Sequence, residues 1–329
     1  MKFLITGGCG FIGINLIEKI LNSNENNEIR ILDNLSVGCK TNLSKVCDWY
    51  ENEKQEFNLD VINKKVELVV GDVMDQILAK KVCKGIDIII HLAGNSGVPS
   101  SVENPRYDLE QNIIGTFNFL DSAKINNVSR FIFASSGAPA GEVQPPIHEE
   151  LPAHPVSPYG ASKLSCEAYC SAFYNSFGVE TVVLRFSNVY GPNSHHKTSV
   201  IAKFISTMLD NECVELYGDG LQTRDFIFVD DLVEAILLSS VEENIGGNIF
   251  QIGTGKETTI SEIADNIINL LNIKGLDVPS PIKLKARKGD VHRNFSDISK
   301  AKEILGWSPK IDLSAGLKTT LEYFINEKL

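Results

Sequence analysis

Tyr159 and Lys163 lie four residues apart, and Ser136 stands upstream at the end of an apolar run. Such a trio can support hydride transfer at a secondary alcohol. A phenolate takes the hydroxyl proton, an ammonium keeps the phenolate charged, and a serine holds the hydroxyl in line. A phenol in water keeps its proton to about pH 10. A neighbouring ammonium, together with the positive nicotinamide ring of a bound cofactor, favours the phenolate. The spacing suits this work only on a helix, where residues four apart share a face. Ser157 and Pro158 read as an N-cap and a first-turn proline, which predicts a helix from about 158 to 177. A Tyr-x-x-x-Lys pair is common by chance, and taken alone an ordinary amphipathic helix start is the better explanation. The elements around it have to decide.

The N-terminus carries the second half of the chemistry. Lys2 to Thr6 is a short apolar strand, glycines follow at positions 7, 8, 10 and 13, and Ile12, Leu16, Ile17, Ile20 and Leu21 recur at helical spacing. In a strand–turn–helix setting such glycines bring backbone N–H groups against a pyrophosphate at a helix N-terminus. The candidate contacts are Gly7, Gly10, Phe11, Ile12 and Gly13. A second strand over 28–32 runs into Asp33, twenty residues after Gly13. An acid there accepts hydrogen bonds from ribose hydroxyls and repels a 2′-phosphate, so NAD is expected rather than NADP. The plainer alternative for Asp33 is a turn residue ahead of Asn34.

Strand and helix patterns alternate to about residue 185. The run 66–70 ends in Gly71-Asp72-Val73. The nearly continuous apolar run 86–91 suits a strand inside a parallel sheet. It ends at His91 and opens into Leu92-Ala93-Gly94, a stretch whose backbone a cofactor can lie against. Leu109, Ile113, Phe117 and Leu120 mark one face of a long helix. The run 130–135 delivers Ser136 at a strand's carboxyl end, where open α/β sheets bind ligands. These patterns predict a Rossmann-type, doubly wound parallel sheet over 1–186, with later returns near 226–254. A smaller mixed α/β lobe is expected over 187–329, with helices at 198–210, 230–243, 260–272 and 313–327. Strands fit near 214–217, 248–252 and 282–285. The polar stretch 36–62 reads as a loop with at most one short helix.

With 329 residues and a net charge of −11, nucleic-acid backbone is not an expected partner. Seven cysteines without paired spacing suggest reduced thiols and a cytoplasmic protein, and Cys9 reads as a small filler in the glycine turn. The chain opens directly on a strand, so no secretion signal is expected, and no apolar run approaches the ~18 residues of a membrane span. His195 and His196 invite a metal, but without cysteine or carboxylate partners at ligand spacing a solvated loop is preferred and no metal is expected.

Together these motifs resemble the extended short-chain dehydrogenase/reductase family over essentially the whole chain. Within it they are closest to nucleotide-sugar 4-epimerases of the UDP-galactose 4-epimerase type. The resemblance implies that Asp33, Asn34 and Ser36 face the NAD ribose, that Asp72 and Val73 edge the adenine, and that Leu92, Ala93 and Gly94 line the cofactor. It makes Ser136, Tyr159 and Lys163 the catalytic set, with Tyr159 and Lys163 also touching the cofactor. Asn188, Arg224 and Arg287 would hold the diphosphate of a nucleotide sugar; Asp290 would take the nucleotide ribose, and Val200, Tyr217 and Asn294 complete the substrate contacts. Guanidinium forks suit a diphosphate in an otherwise acidic protein.

The expected reaction is inversion at C4 of a UDP-hexose or UDP-N-acetylhexosamine through a transient 4-keto sugar. Asn294 is smaller than the tyrosine of hexose-only members, which predicts room for an N-acetyl group. The alternatives are a UDP-glucuronate 4-epimerase, a nucleotide-sugar decarboxylase or dehydratase, and a non-enzymatic NAD-binding scaffold. Dehydratases carry Asp-Glu where this chain has Gly137-Ala138, and no basic residue stands in Asn95–Pro99 to meet a uronate. Ala140 replaces a family tyrosine, which predicts a reshaped wall near the sugar. The family also implies a homodimer through helices near 103–125 and 158–177.

Overall fold

A computed structural model describes all residues except 24, 54–64, 196, 198, 286–291 and 329. In chain order the first elements are β1 (Lys2–Thr6), α1 (Phe11–Leu21), β2 (Glu28–Asp33), α2 (Lys40–Val46), β3 (Tyr50–Glu51), β4 (Val66–Val70), α3 (Gln76–Val82) and β5 (Ile88–His91). Next come α4 (Val98–Glu103), α5 (Pro105–Leu109), a π-helical turn (Glu110–Ile114), α6 (Gly115–Ile125), β6 (Arg130–Ser136), a 3₁₀ turn (Ala138–Ala140), α7 (Pro158–Phe177) and β7 (Thr181–Phe186). The remainder comprises β8 (Asn188–Tyr190), α8 (Val200–Leu209), β9 (Glu215–Tyr217), β10 (Thr223–Arg224), β11 (Phe226–Phe228), α9 (Val229–Val241) and β12 (Ile249–Ile252). It closes with β13 (Thr258–Thr259), α10 (Ile260–Ile273), β14 (Ile282–Leu284), α11 (Ser299–Ile304) and α12 (Leu313–Lys328).

Eight strands form one sheet in the order β12-β7-β6-β5-β1-β2-β4-β3. β1 pairs in parallel with β2 and β5, β5 with β6, and β4 with β2 and β3. From β1 the chain winds outward first towards β4 and then, through β5, the other way. The reversal between β1 and β5 is the switch point at whose carboxyl ends open sheets bind ligands. The predicted doubly wound sheet is therefore present.

Two compact units emerge. One comprises 1–142, 149–185 and 235–250; the other comprises 143–148, 186–234 and 251–329. The first unit's core joins Leu4, Leu32, Val69, Ile89, Phe119, Phe131 and Phe133 to Cys166, Cys170 and Phe173 of α7. The second unit packs Phe204, Ile205 and Met208 of α8 with Ile263, Ile267 and Leu271 of α10 and Leu317, Leu321 and Phe324 of α12. Full burial of each such side chain contributes roughly 1.5–3 kcal/mol. α10 starts with a reciprocal capping box, Thr259 Oγ1 accepting from Glu262 N while Glu262 Oε2 accepts from Thr259 N.

One helical expectation needs correcting. Leu109, Ile113, Phe117 and Leu120 do not share one buried face: Leu109 and Phe117 are exposed, whereas Phe119 and Leu120 are fully buried. The π turn Glu110–Ile114 adds a residue to one turn and rotates everything after it. A plain 3.6-residue count cannot anticipate that shift.

Candidate functional site

In the first unit the site grows from the ends of β1, β5 and β6. Gly7 adopts φ +70° and its N–H donates to Leu32 O at 2.8 Å. A methyl group there would stand 2.9 Å from Ala93 N, so only glycine lets the turn approach the Leu92–Ala93 backbone. Gly10 is the N-cap of α1, Phe11 is buried, and Ile12 and Gly13 follow in its first turn. Asp33 is buried at the end of β2 and accepts from Cys9 N at 2.9 Å and Leu35 N at 2.8 Å. Burial raises its carboxyl pKa against the pull of those two bonds. Asn34 donates to Asp72 Oδ2 at 2.9 Å and accepts from Ser36 N at 3.1 Å, joining the two loops expected to frame an adenosine. Val73 is buried, and its carbonyl accepts from Asn118 Nδ2 at 3.0 Å.

Thr6 ties β1 to β5. Its carbonyl accepts from Leu92 N at 3.1 Å, and its hydroxyl accepts from Ala93 N at 3.2 Å. His91, the last residue of β5, is fully buried. Its Nδ1 lies 2.9 Å from Thr6 Oγ1 and its Nε2 3.2 Å from Thr116 Oγ1, among the rings of Phe119, Phe131 and Phe133. Burial, and then the positive charge of Lys163, push its pKa down to about 3. His91 therefore does end its strand, as a neutral structural link.

α7 carries the chemistry. Ser157 Oγ accepts from Gly160 N at 3.1 Å and Pro158 opens the first turn, as the residue pattern predicts. Lys163 is buried; its ammonium donates to Ala134 O at 2.8 Å and lies 5.9 Å from the centre of the Tyr159 ring. α7 packs against both β6 and the Ala138–Ala140 turn, the segments flanking Ser136. Ser136 Oγ accepts from Ala138 N at 2.9 Å. Thus the first unit gathers Ser136, Tyr159 and Lys163 around the end of β6. Ala140 is 2% exposed. Open space lies at Gly137, where an added Cβ would meet nothing within 4 Å.

Asn112 was not singled out from sequence. It sits in the π turn and donates to Asn95 O, Asp108 Oδ1 and Ser162 Oγ at 3.0–3.1 Å. Its Oδ1 is buried without a hydrogen-bond partner among the described residues, beside Gly94. A polar acceptor left unmatched in a native core calls for an explanation. Here it faces the loop expected to line the cofactor. The tight Gly7–Ala93 approach, the buried Asp33 carboxylate and this acceptor together fit a dinucleotide laid across the carboxyl ends of β1, β2 and β5.

In the second unit Asp225 is the hub. Its carboxylate accepts from Thr254 N and Oγ1, Gly255 N and Ser296 N. Asn188 N and Nδ2 donate to the Asp225 carbonyl at 2.9 and 3.2 Å. Arg224 precedes the hub in sequence, with Nη1 donating to Thr223 O at 2.7 Å. Asn294, partly exposed, lies two residues before Ser296. Asp225 thus bonds Asn188 through its carbonyl and Ser296 through its carboxylate, with Arg224 its neighbour in sequence. Asp225 directly follows Arg224 in sequence, yet only its four-fold bonding reveals this role. Val200 begins α8, and Tyr217 at the end of β9 donates its hydroxyl to Glu215 Oε2 at 2.8 Å; neither is tied to the hub by these bonds. Lys197, in the loop before α8, is partly buried, and burial lowers its pKa. Arg287, Asp290 and His196 lie outside the described residues. Among the described residues no cluster of three or more His, Cys, Asp or Glu side chains suits a metal ion, and no helix is long and apolar enough to cross a membrane.

Comparison with known proteins agrees with this geometry. Residues 3–253 match the model of the NAD dependent epimerase/dehydratase family. A Methanocaldococcus jannaschii protein provisionally named UDP-glucose 4-epimerase is 39% identical over 98% of each chain. A Thermotoga maritima UDP-glucose 4-epimerase solved with UDP-glucose superposes with a TM-score of 0.87 at 34% identity, covering 100% of both chains. A UDP-N-acetylglucosamine 4-epimerase from Methanobrevibacter ruminantium, solved with UDP-N-acetylmuramic acid, gives 0.86 at 33% identity, covering 99% of this chain and 98% of that one.

Proposed function

We propose that this chain, which belongs to the NAD dependent epimerase/dehydratase family, is an NAD-dependent 4-epimerase of UDP-hexoses or UDP-N-acetylhexosamines. The observation that carries the reading is Lys163, buried at the end of β6 with its ammonium directed at both Ala134 O and the Tyr159 ring. Tyr159, as phenolate, takes the proton of the C4 hydroxyl. Lys163 supplies the positive charge that favours the phenolate, and Ser136 orients the hydroxyl. Bound NAD supplies a reversible hydride acceptor at C4. Asn188 and Arg224 hold the diphosphate while the 4-keto sugar turns over, with Arg287, Asp290, Val200 and Tyr217 as further substrate contacts. As hydride returns to the other face of C4, Tyr159 gives the proton back to the C4 oxygen, which completes the inverted alcohol. Gly7, Gly10, Phe11, Ile12 and Gly13 would carry the pyrophosphate, Asp33, Asn34 and Ser36 the ribose, and Asp72 and Val73 the adenine. Leu92, Ala93 and Gly94 complete the cofactor's bed.

Asn294 leaves space beside the sugar's C2 substituent, which favours acceptance of N-acetyl groups. Exposed Tyr107, Leu109, Ile114, Phe117, Tyr169 and Phe177 form apolar surface on α5, α6, the π turn and α7, supporting a homodimer through these helices. Free thiols at all seven cysteines support a cytoplasmic setting. Replacing Tyr159→Phe tests the catalytic assignment. Turnover should fall by orders of magnitude while NAD stays bound, and a near-normal rate would refute it.

A further inference from the structure

Tyr159, Lys163 and Glu167 follow one another at four-residue spacing on α7, and the mechanism above uses only the first two. Glu167 is 3% exposed. Arg185 of β7, equally buried, grips it with two bonds: Nε to Oε1 at 2.9 Å and Nη2 to Oε2 at 2.7 Å. Ser135, the neighbour of Ser136, donates its hydroxyl to the same Oε1 at 2.6 Å. One carboxylate thus joins the catalytic helix, the strand that delivers Ser136 and the next strand of the sheet. One turn earlier, Lys163 bonds Ala134 O. Two successive turns of α7 are therefore fastened to two successive residues of β6, immediately before Ser136.

A buried ion pair is a poor way to gain stability, because desolvation offsets most of its attraction and well-packed apolar residues often serve as well. Its geometry is what apolar residues cannot reproduce. We propose that Glu167, held by Arg185, is a positioning residue. It sets the rotation and depth of α7 against β6, and so the alignment of Tyr159 and Lys163 with Ser136. This rests on the epimerase reading for its kinetic consequence, but the structural consequence stands alone. Hydride and proton transfers need reacting groups within a few tenths of an ångström of their productive places, and a misplacement of about 1 Å can slow a reaction roughly 100-fold.

The test uses the full-length protein with NAD. The paired variant Glu167→Met/Arg185→Met removes both charges and leaves none buried alone. Ser135→Ala removes one bond and keeps the pair. The paired variant should keep its melting temperature and NAD affinity, while kcat falls about 10- to 100-fold and KM stays within about threefold. Ser135→Ala should lower kcat about threefold to tenfold with KM unchanged. A crystal structure of the paired variant should show Tyr159 displaced by about 0.5 Å or more from its place relative to Ser136. Wild-type kcat in both variants, or an unmoved Tyr159, would overturn the proposal. Inactivity of the wild-type protein would instead strike the epimerase reading and leave the crystallographic test in force. Should the paired variant fail to fold, Ser135→Ala decides by itself.

Discussion

His91 should weaken this fold in acid. His91 is fully buried between two threonine hydroxyls and three phenylalanine rings. A neutral imidazole presents one donor and one acceptor, which the two hydroxyls satisfy in either tautomer. The imidazolium would carry a charge into an apolar cage beside Lys163. In the unfolded chain the ring takes up its proton near the ordinary value of 6.5, whereas in the fold the pKa is lowered to about 3. Between those values the unfolded state binds one proton more than the native state, so stability falls as pH falls. The contribution is fully present above about pH 7, declines by about 1.4 kcal/mol per pH unit below 6.5, and levels off near pH 3. At pH 5 the loss is about 2 kcal/mol. Other groups titrate in the same range, so the comparison is with His91→Gln, which keeps an amide donor and acceptor and has no proton to bind. Urea unfolding followed by far-UV circular dichroism at pH 7.5 and 5.0 measures both. The wild type should lose about 2 kcal/mol more than the variant over that interval. Parallel losses in the two proteins would show that His91 is charged in the native state, and the reasoning would fail.

Three further outcomes follow from the site. Asp33→Ser removes a buried acceptor expected to meet the cofactor's ribose, so NAD affinity should drop roughly 10- to 100-fold while NADP gains relative to it. Fluorescence titration measures both, and unchanged preference would contradict the assignment. Asn294→Tyr should lower kcat/KM for UDP-GlcNAc at least about tenfold more than for UDP-glucose, because the larger ring fills the space allotted to the acetamide. Equal losses in paired assays would place Asn294 elsewhere. Sedimentation at micromolar concentration should give twice the 36.2 kDa chain mass, and Phe117→Glu should shift the protein towards monomer; a wild-type monomer would contradict the dimer.

Much of the frame was readable because local rules and tertiary structure agree. The glycine turn after β1, the buried run of β5 and the Ser157-Pro158 helix start each express one short-range preference, and each appears where the residues indicate. The network behind the site was hidden because it depends on long-range partners. Glu167 looks like any helical glutamate until β7 brings Arg185 beside it. Asn112 looks like a surface amide until the π turn rotates it inward. Asp225 gathers groups from positions 254, 255 and 296, which no local spacing relates.

The central claim is transient oxidation at C4 with return of the same hydride. Its most direct test is NMR analysis of products formed in deuterated water from UDP-glucose, UDP-GlcNAc and UDP-glucuronate, with NAD and no reductant. The account predicts inversion at C4 for UDP-glucose and UDP-GlcNAc, with the original hydrogen retained at C4 and no net NADH. Deuterium at C4, or a 6-deoxy or decarboxylated sugar in place of the inverted one, would contradict it.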